Sequence, residues 1–173
     1  FPYGEKSREQ LELYSRQITA FLEAVPCKLI VVACYSATSA ALPALQREFR
    51  TPIIGVVMPG ARAAVATSRY RKIGVLATEA TVASGAYPRA IGGLDSGAEV
   101  IQQACPGLVD FIEAGDVASQ ALADAVSGFT EPLKARRPDV VIMGCTHYPL
   151  IRPMLQRFLG RDVTLINPAA EIA

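Results

Sequence analysis

Two reactive side chains lie two residues apart in the stretch VVIMGCTHYP, residues 140–149. An apolar run ends there at a glycine, and Cys145, Thr146 and His147 follow it. His147 is the only histidine in the sequence. Its imidazole is close enough along the chain to hydrogen-bond the thiolate of Cys145 or a substrate held beside it.

A second cysteine, Cys34, has the same setting in LIVVACYSAT, residues 29–38, where small and hydroxylated residues follow an apolar run. A free thiol has a pKa of about 8.5, which falls at helix N-termini and beside cations. Each of these two cysteines is predicted to lie between a strand end and a helix start. Unpaired N–H groups and the helix dipole favour a thiolate at such a position.

Two thiols that face each other across a cleft suit one reaction class. One removes a proton from a carbon and the other returns a proton to the opposite face, which inverts a stereocentre. The alternative is that a cysteine at the end of a buried strand is a small, inert apolar residue. We assign the inert role to Cys27 and Cys105, and the pattern leaves both roles open for Cys34 and Cys145. The polar neighbours of His147 favour a functional role for it.

Predicted strands and helices alternate along the chain, which indicates βα units, a largely parallel sheet and an α/β fold. Ser36 and Thr38 are predicted helix caps, and Met58-Pro59-Gly60 a break. Ligands of such sheets bind beyond the carboxyl ends of the strands, where Cys34 and Cys145 lie. The strands are predicted at 28–34, 52–57, 72–77, 98–103, 140–144 and 163–166, and the helices at 7–25, 36–49, 61–70, 81–91, 116–136 and 150–159.

A faint internal repeat relates the two cysteine segments. VVAC is followed by ALPALQREF and a strand, and VIMGC by IRPMLQRFL and a strand. Gln46 lies twelve residues after Cys34, and Gln156 eleven residues after Cys145. The repeat is short, and strand–loop–helix units resemble one another by chance. As a duplication, it would place the cysteines at equivalent positions of two similar halves.

Composition narrows the class of protein. The 173 residues suffice for one medium domain or two small ones, and 51% hydrophobic with 19% charged residues indicates a folded chain. A net charge of +1 gives no basic stripe for nucleic acid, and no apolar run reaches the roughly 20 residues of a membrane span. Four cysteines without a CxxC pair and a single histidine predict reduced thiols, a cytoplasmic location and no metal. A start without methionine leads us to expect a fragment.

Several motifs, in order along nearly the whole chain, resemble the bacterial glutamate racemases of the cofactor-independent aspartate/glutamate racemase superfamily. GCTHYPLIRP at 144–153 is the most specific of them. The other matching segments are PYG at 2–4, VVAC at 31–34, PALQREF at 43–49, PIIGVVMPGARAA at 52–64, IGVLAT at 73–78, ATVASGAYPRAI at 80–91 and QQACPGLVDFIEAG at 103–115.

The resemblance implies two pseudo-symmetric α/β domains, each with a mainly parallel sheet flanked by helices, and an active site in the cleft between them. Their expected bounds are 1–57 with 168–173, and 58–167. It further implies a homodimeric cytoplasmic enzyme without cofactor that interconverts L- and D-glutamate through two thiols and supplies D-glutamate for peptidoglycan. The sequence leaves the arrangement of the dimer open.

The resemblance also implies a role for each site residue. Cys34 and Cys145 would act on opposite faces of the substrate, and His147 with Glu113 would support Cys145. The substrate-binding positions implied by the family motifs are Tyr3, Gly4, Tyr35, Ser36, Thr146 and His147.

The sequence departs from the family pattern in three places. Tyr35-Ser36 stands where the family has Asn-Thr after its first cysteine, and Asn167-Pro168 where it has Asp-Ser. The Asp-Ser-Gly loop that supplies an acid partner to the first cysteine is absent from this sequence, and Asp95-Ser96-Gly97 is interpreted as a coincidence in a turn. Two alternatives therefore stay open: a racemase for aspartate or another small amino acid, and a catalytically impaired relative that binds an amino acid or a protein.

Overall fold

The computed structural model of the protein describes residues 3–172. None of the helices in that range is long and apolar enough to cross a bilayer. The elements are α1 (Arg8–Glu23), β1 (Ile30–Val32), α2 (Tyr35–Glu48), β2 (Ile53–Gly55), α3 (Val57–Thr67), β3 (Lys72–Ala77), α4 (Glu79–Ser84), α5 (Ala86–Leu94), β4 (Glu99–Ala104), α6 (Leu108–Glu113), α7 (Gln120–Arg136), β5 (Val140–Gly144), α8 (Arg152–Leu159) and β6 (Thr164–Ile166), with 3-10 helices at Tyr3–Glu5, Tyr148–Ile151 and Pro168–Glu171.

The strands form two separate parallel sheets, which confirms the predicted α/β class. β1 pairs with β2, and the larger sheet has the order β4-β3-β5-β6. Because all pairings are parallel, the carboxyl ends of neighbouring strands lie at the same edge of each sheet. In the central pair, Ala77 of β3 lies opposite Gly144 of β5.

Burial on both faces explains the apolar runs that predicted the central strands. All five residues of β5 are buried, as are the last five residues of β3. Separate apolar clusters cover the two faces of the larger sheet, one containing Leu76 and Met143 and the other Val75 and Ile142. A strand covered on both faces has no polar side, so the sequence shows a continuous run rather than an alternation.

The internal repeat has a structural counterpart in two glutamine side chains. Gln46 Nε2 donates to the carbonyl of Ile53, the first residue of β2, over 2.8 Å. Gln156 Nε2 donates to the carbonyl of Val163, directly before β6, also over 2.8 Å. Each amide thus holds the chain seven residues ahead, where the next strand begins. The two cysteine-bearing halves share this device.

The start of α2 differs from the prediction because its hydroxyl groups are used elsewhere. Cys34 is the N-cap residue, and its side chain makes no capping hydrogen bond. The predicted caps, Ser36 and Thr38, lie inside the helix. The Ser36 hydroxyl is shared with Thr78 of the larger sheet's half, and Thr38 Oγ1 donates to the carbonyl of Val32. The prediction of these caps was wrong because tertiary partners took both hydroxyls.

The predicted break at Met58-Pro59-Gly60 was also wrong, since α3 already begins at Val57. Pro59 is in the first turn, where N–H groups have no acceptor within the helix, so its missing N–H costs nothing. Gly60 serves close packing instead. A Cβ atom there would lie 2.6 Å from Cγ of Pro168.

Two predicted helices are interrupted, and a short one was missed. Residues 81–91 divide between α4 and α5 at Gly85, which has a left-handed φ of 63°. Before α8, the N–H of Arg152 donates to the carbonyl of Pro149 in a 3-10 turn, because Pro153 has no N–H to offer that carbonyl. The missed helix is α6, which carries Glu113.

Asp139 joins the start of β5 to the turn after α3. Its carboxylate accepts hydrogen bonds from the Ser68 hydroxyl at 2.7 Å and from the N–H groups of Arg69 at 2.5 Å and Tyr70 at 3.1 Å. Burial opposes ionisation of Asp139, but these hydrogen bonds together hold its pKa below the ordinary value. The ionised carboxylate therefore fixes the entry into β5.

We expect Asp139→Ala to lower the free energy of unfolding by about 2 kcal/mol at pH 7, because three donors lose their acceptor. The pKa of Asp139 is depressed in the folded state, so its contribution is present above the unfolded pKa of about 3.9 and is lost as the pH falls through the folded value. Urea denaturation at pH 7 and at pH 3 measures both effects. Asp162→Ala, at an exposed position, is the matched control; equal losses in both variants would contradict the assignment.

Candidate active site

A cavity of about 230 Å³ opens between the ends of the two sheets, where the residues after β1 and β5 meet. All nine residues predicted for the site line it, together with three that were not predicted: Thr78, Val109 and Gly144. Their roles in binding and catalysis stay predictions. The lining residues are Tyr3, Gly4, Cys34, Tyr35, Ser36, Thr78, Val109, Glu113, Gly144, Cys145, Thr146 and His147.

Cys34 lies on one wall, at the N-terminus of α2. It is a free, partly exposed thiol two residues beyond β1. Its carbonyl accepts the N–H of Thr38 over 2.8 Å, the first hydrogen bond of a 14-residue helix. The positive end of the helix dipole thus faces the cavity at Cys34.

Cys145 lies on the other wall and is buried, with 6% of its surface exposed. Burial raises the pKa of its thiol to about 11, although the backbone N–H groups of His147 and Tyr148 oppose the rise. A negative charge on Cys34 raises it further. The expectation that the backbone favours a thiolate here is therefore wrong for the empty site, because desolvation outweighs the N–H groups.

His147 connects Cys145 to a carboxylate. Its Nδ1 lies 3.6 Å from Sγ of Cys145 and 3.4 Å from Oγ1 of Thr146, and its Nε2 lies 2.5 Å from Oε1 of Glu113. With Glu113 ionised, Nε2 carries the proton and donates it, which leaves Nδ1 as an acceptor for the protonated thiol. The chain of groups can thus take a proton from Cys145 and return it.

Two glycines with left-handed backbone position Glu113. Gly107 precedes α6 with a φ of 73°, and Gly115 follows it with a φ of 78°. The N–H of Gly115 donates to the carbonyl of Ile112, which ends the helix directly after Glu113. Leu108 and Ile112 are buried and anchor α6 in the core, while the Glu113 side chain is 64% exposed at the cavity rim.

A cluster of hydroxyl groups connects the two walls. Ser36 Oγ lies 2.9 Å from Oγ1 of Thr78 and 3.4 Å from Oγ1 of Thr81, and the two threonine oxygens are 3.1 Å apart. All three side chains are buried. Thr78 also caps α4 by accepting the N–H of Thr81. A threonine directly after a buried strand is the signal that could have identified Thr78 from the sequence.

Gly4 allows the 3-10 helix at Tyr3–Glu5 to approach this cluster. A Cβ atom on Gly4 would lie 2.7 Å from Cγ2 of Thr78 and 2.8 Å from its Cβ, which is too close for any side chain. The neighbouring Tyr3 ring makes an edge contact with Tyr14 of α1, with ring centroids 6.4 Å apart. The segment is therefore held against the cavity from both sides.

Tyr35, the departure from the family pattern, forms part of the cavity wall beside Cys34 and is only 3% exposed. Its ring packs in the cluster that contains Val56, Val57 and Ala61. Burial raises its pKa, and negative charge on Cys145 or Cys34 raises it further, so the phenol stays neutral. It can offer an O–H donor to a bound anion.

Asp95-Ser96-Gly97 lies away from the cavity, in the turn after α5. The Asp95 carboxylate pairs with Arg71 at 3.0 Å and accepts the N–H of Gly97 at 3.0 Å. Those contacts make it a structural turn, in agreement with its interpretation as a coincidence.

Known proteins share both the sequence and the structure of this chain. The sequence model of the Asp/Glu/Hydantoin racemase family matches residues 1–173. This chain belongs to that family. The glutamate racemase of Lactiplantibacillus plantarum is 44% identical over 170 residues, which are 98% of this chain and 62% of the relative.

Two solved structures have the same fold. Glutamate racemase isoform RacE1 of Bacillus anthracis superposes with a TM-score of 0.93 at 40% identity, over 98% of this chain and 64% of that one. Glutamate racemase of Francisella tularensis, solved in complex with D-glutamate, gives 0.92 at 30% identity, over 99% and 64%. The chain thus spans slightly less than two thirds of the length of these family members. The predicted family is confirmed.

The raised pKa of Cys145 predicts an unusual pH profile for alkylation. In a variant with the other three cysteines changed to serine, the rate of reaction with iodoacetamide should still be rising at pH 10, because the thiolate forms only near pH 11. In urea, the same thiol should level off near its ordinary value of about 8.5. A folded protein whose profile levels off below pH 9 would contradict the assigned burial effect.

Proposed function

We propose that this protein is a glutamate racemase that interconverts L- and D-glutamate without a cofactor. The observation that carries the proposal is that Cys34 and Cys145, from separate sheets, line the same small cavity. The family match and the relatives named as glutamate racemases support it. The bound D-glutamate of the Francisella enzyme supports glutamate as the substrate class.

The proposed reaction is a proton transfer at the α-carbon. The thiolate of one cysteine removes the α-proton and leaves a carbanion, and the thiol of the other gives its proton to the opposite face. Each turnover therefore exchanges the protonation states of the two sulfurs and consumes nothing. The reverse reaction uses the same groups in the opposite order.

The electrostatics of the empty cavity suit this chemistry. Negative charge on Cys34 raises the pKa of Cys145, so ionisation of both thiols together is disfavoured. A single thiolate facing a single thiol is the state that the reaction requires. His147 and Glu113 stabilise a shift of the proton away from Cys145, and neutral Tyr35 is positioned to donate to a substrate carboxylate.

The finer assignments follow from the family. We place the enzyme in the cytoplasm as a homodimer, where D-glutamate is made for peptidoglycan, cell-wall formation and cell shape. The domain division near residues 58 and 167 stays a prediction, with the two-stranded sheet in the first domain and the four-stranded sheet in the second.

The proposal predicts loss of the α-proton signal of both glutamate enantiomers when the chain is incubated with each in heavy water. Cys34→Ser and Cys145→Ser should each lower racemisation by about a thousandfold, because one face loses its proton donor or acceptor. Proton NMR with a check of chirality measures both. Cys27→Ser, at an exposed position outside the cavity, is the matched control. A folded wild-type chain that exchanges neither enantiomer would contradict the proposal for this chain.

A second candidate is a racemase for aspartate or another amino acid smaller than glutamate. The buried Tyr35 favours it, because a phenol ring in the cavity wall occupies space that a smaller residue would leave to the substrate. A catalytically impaired binding relative is the outcome if neither amino acid exchanges its proton but either one binds.

Tyr35→Asn separates the two substrates. We expect it to raise the ratio of kcat/KM for glutamate to that for aspartate by about tenfold, because roughly one methylene distinguishes them in a sized pocket. Tyr35→Phe keeps the bulk and removes only the hydroxyl, so it should leave the ratio unchanged. Tyr70→Asn, on the surface, controls for the loss of a tyrosine. An unchanged ratio in Tyr35→Asn would show that the ring does not set substrate size.

A further inference from the structure

A larger cavity, of about 610 Å³, lies outside the candidate active site. Its lining residues come from the segment before α1, from α1 and α2, and from α4 and α5. It shares no lining residue with the cavity that holds the two cysteines. Its volume falls within the range of about 300–1,000 Å³ that small-molecule sites occupy.

The wall of this cavity is strongly cationic. Five lining residues are basic, whereas Glu12 is the single acidic one among the described residues. The chain as a whole has 17 basic and 16 acidic residues, so the excess is local and does not follow from composition. The basic lining residues are Lys6, Arg8, Arg16, Arg47 and Arg89.

Three of these cations have no partner for their charge. Arg8 pairs with Glu12 at 2.9 Å, and Arg16 pairs with Glu48 at 2.7 Å. Among the described residues, the side chains of Lys6, Arg47 and Arg89 make no ion pair. They come from three different elements, so no single helix face accounts for their shared position.

Ser39 adds polar groups that also lack partners. Its hydroxyl is buried and makes no hydrogen bond to any described residue. Pro43, one turn later in α2, has no N–H to donate to the carbonyl of Ser39, so the usual helical hydrogen bond is missing there. Both residues line the cavity. The wall therefore offers a donor and an acceptor beside the unpaired cations.

We propose that this cavity binds a phosphorylated small molecule. The guanidinium groups of Arg47 and Arg89 and the ammonium group of Lys6 would hold its phosphoryl oxygens, since guanidinium binds phosphate through two parallel hydrogen bonds. Ser39 would hold a neutral polar part of the same ligand. A free amino acid such as glutamate carries too little net negative charge to match three cations, so this is not a second substrate site.

Calorimetry with inorganic pyrophosphate tests the site in the whole chain. We expect the wild-type chain to bind pyrophosphate with an affinity that falls as salt is added, and Arg47→Ala/Arg89→Ala to weaken binding by about tenfold or more, because two charged hydrogen-bond donors are lost. Arg62→Ala removes an exposed helical arginine outside the cavity and should change the affinity less than about twofold. Circular dichroism establishes that each variant is folded.

Citrate at equal ionic strength separates phosphoryl ligands from polycarboxylates, which guanidinium groups also bind. Tighter binding of pyrophosphate than of citrate supports the proposal, and the reverse order overturns its ligand class. Absence of pyrophosphate binding to the folded wild-type chain overturns the site itself. Equal weakening by Arg62→Ala and by the double variant would show surface attraction only and would also overturn it. Binding is measured without turnover, so the result is independent of racemase activity.

Discussion

Three buried hydroxyl groups, on Ser36, Thr78 and Thr81, join two sheets that share no strand. Each would cost about 1–3 kcal/mol if left without a partner, and the three satisfy one another. Ser36 comes two residues after Cys34, while Thr78 directly follows the residue of β3 that lies opposite Gly144 of β5. The contact therefore determines how far Cys34 lies from Cys145, and with it the width of the cavity between the two thiols.

The parts of this arrangement that follow from local chemistry could be predicted from the sequence. β5 has the predicted bounds, because a β-branched run buried on both faces leaves little choice of structure. Cys34 and Cys145 were placed correctly after their strands for the same reason. The repeat was visible because equivalent glutamines hold the chain at the start of β2 and of β6.

Other parts depend on contacts between distant residues, which a single sequence does not contain. Ser36 has the chemistry of a cap, but Thr78, far along the chain, competes for its hydroxyl. α6 is six residues long, too short to show helical periodicity, so the element that carries Glu113 was missed although the residue itself was identified from its motif. Burial of Cys145 likewise results from packing of the whole half, and it reversed the expected direction of the pKa shift.

The two halves are alike in backbone and unlike in chemistry. Cys145 is buried and linked through His147 to Glu113, whereas Cys34 is partly exposed at the N-terminus of a long helix, beside Tyr35. The thiolate at Cys34 is thus stabilised by a helix dipole and by water, and the thiolate at Cys145 by a proton acceptor that moves charge towards the rim. A racemase must lower both barriers on a symmetric reaction. Different support for each sulfur achieves this only if the bound substrate itself displaces water from Cys34, which makes closure of the cavity part of the chemistry rather than a separate step.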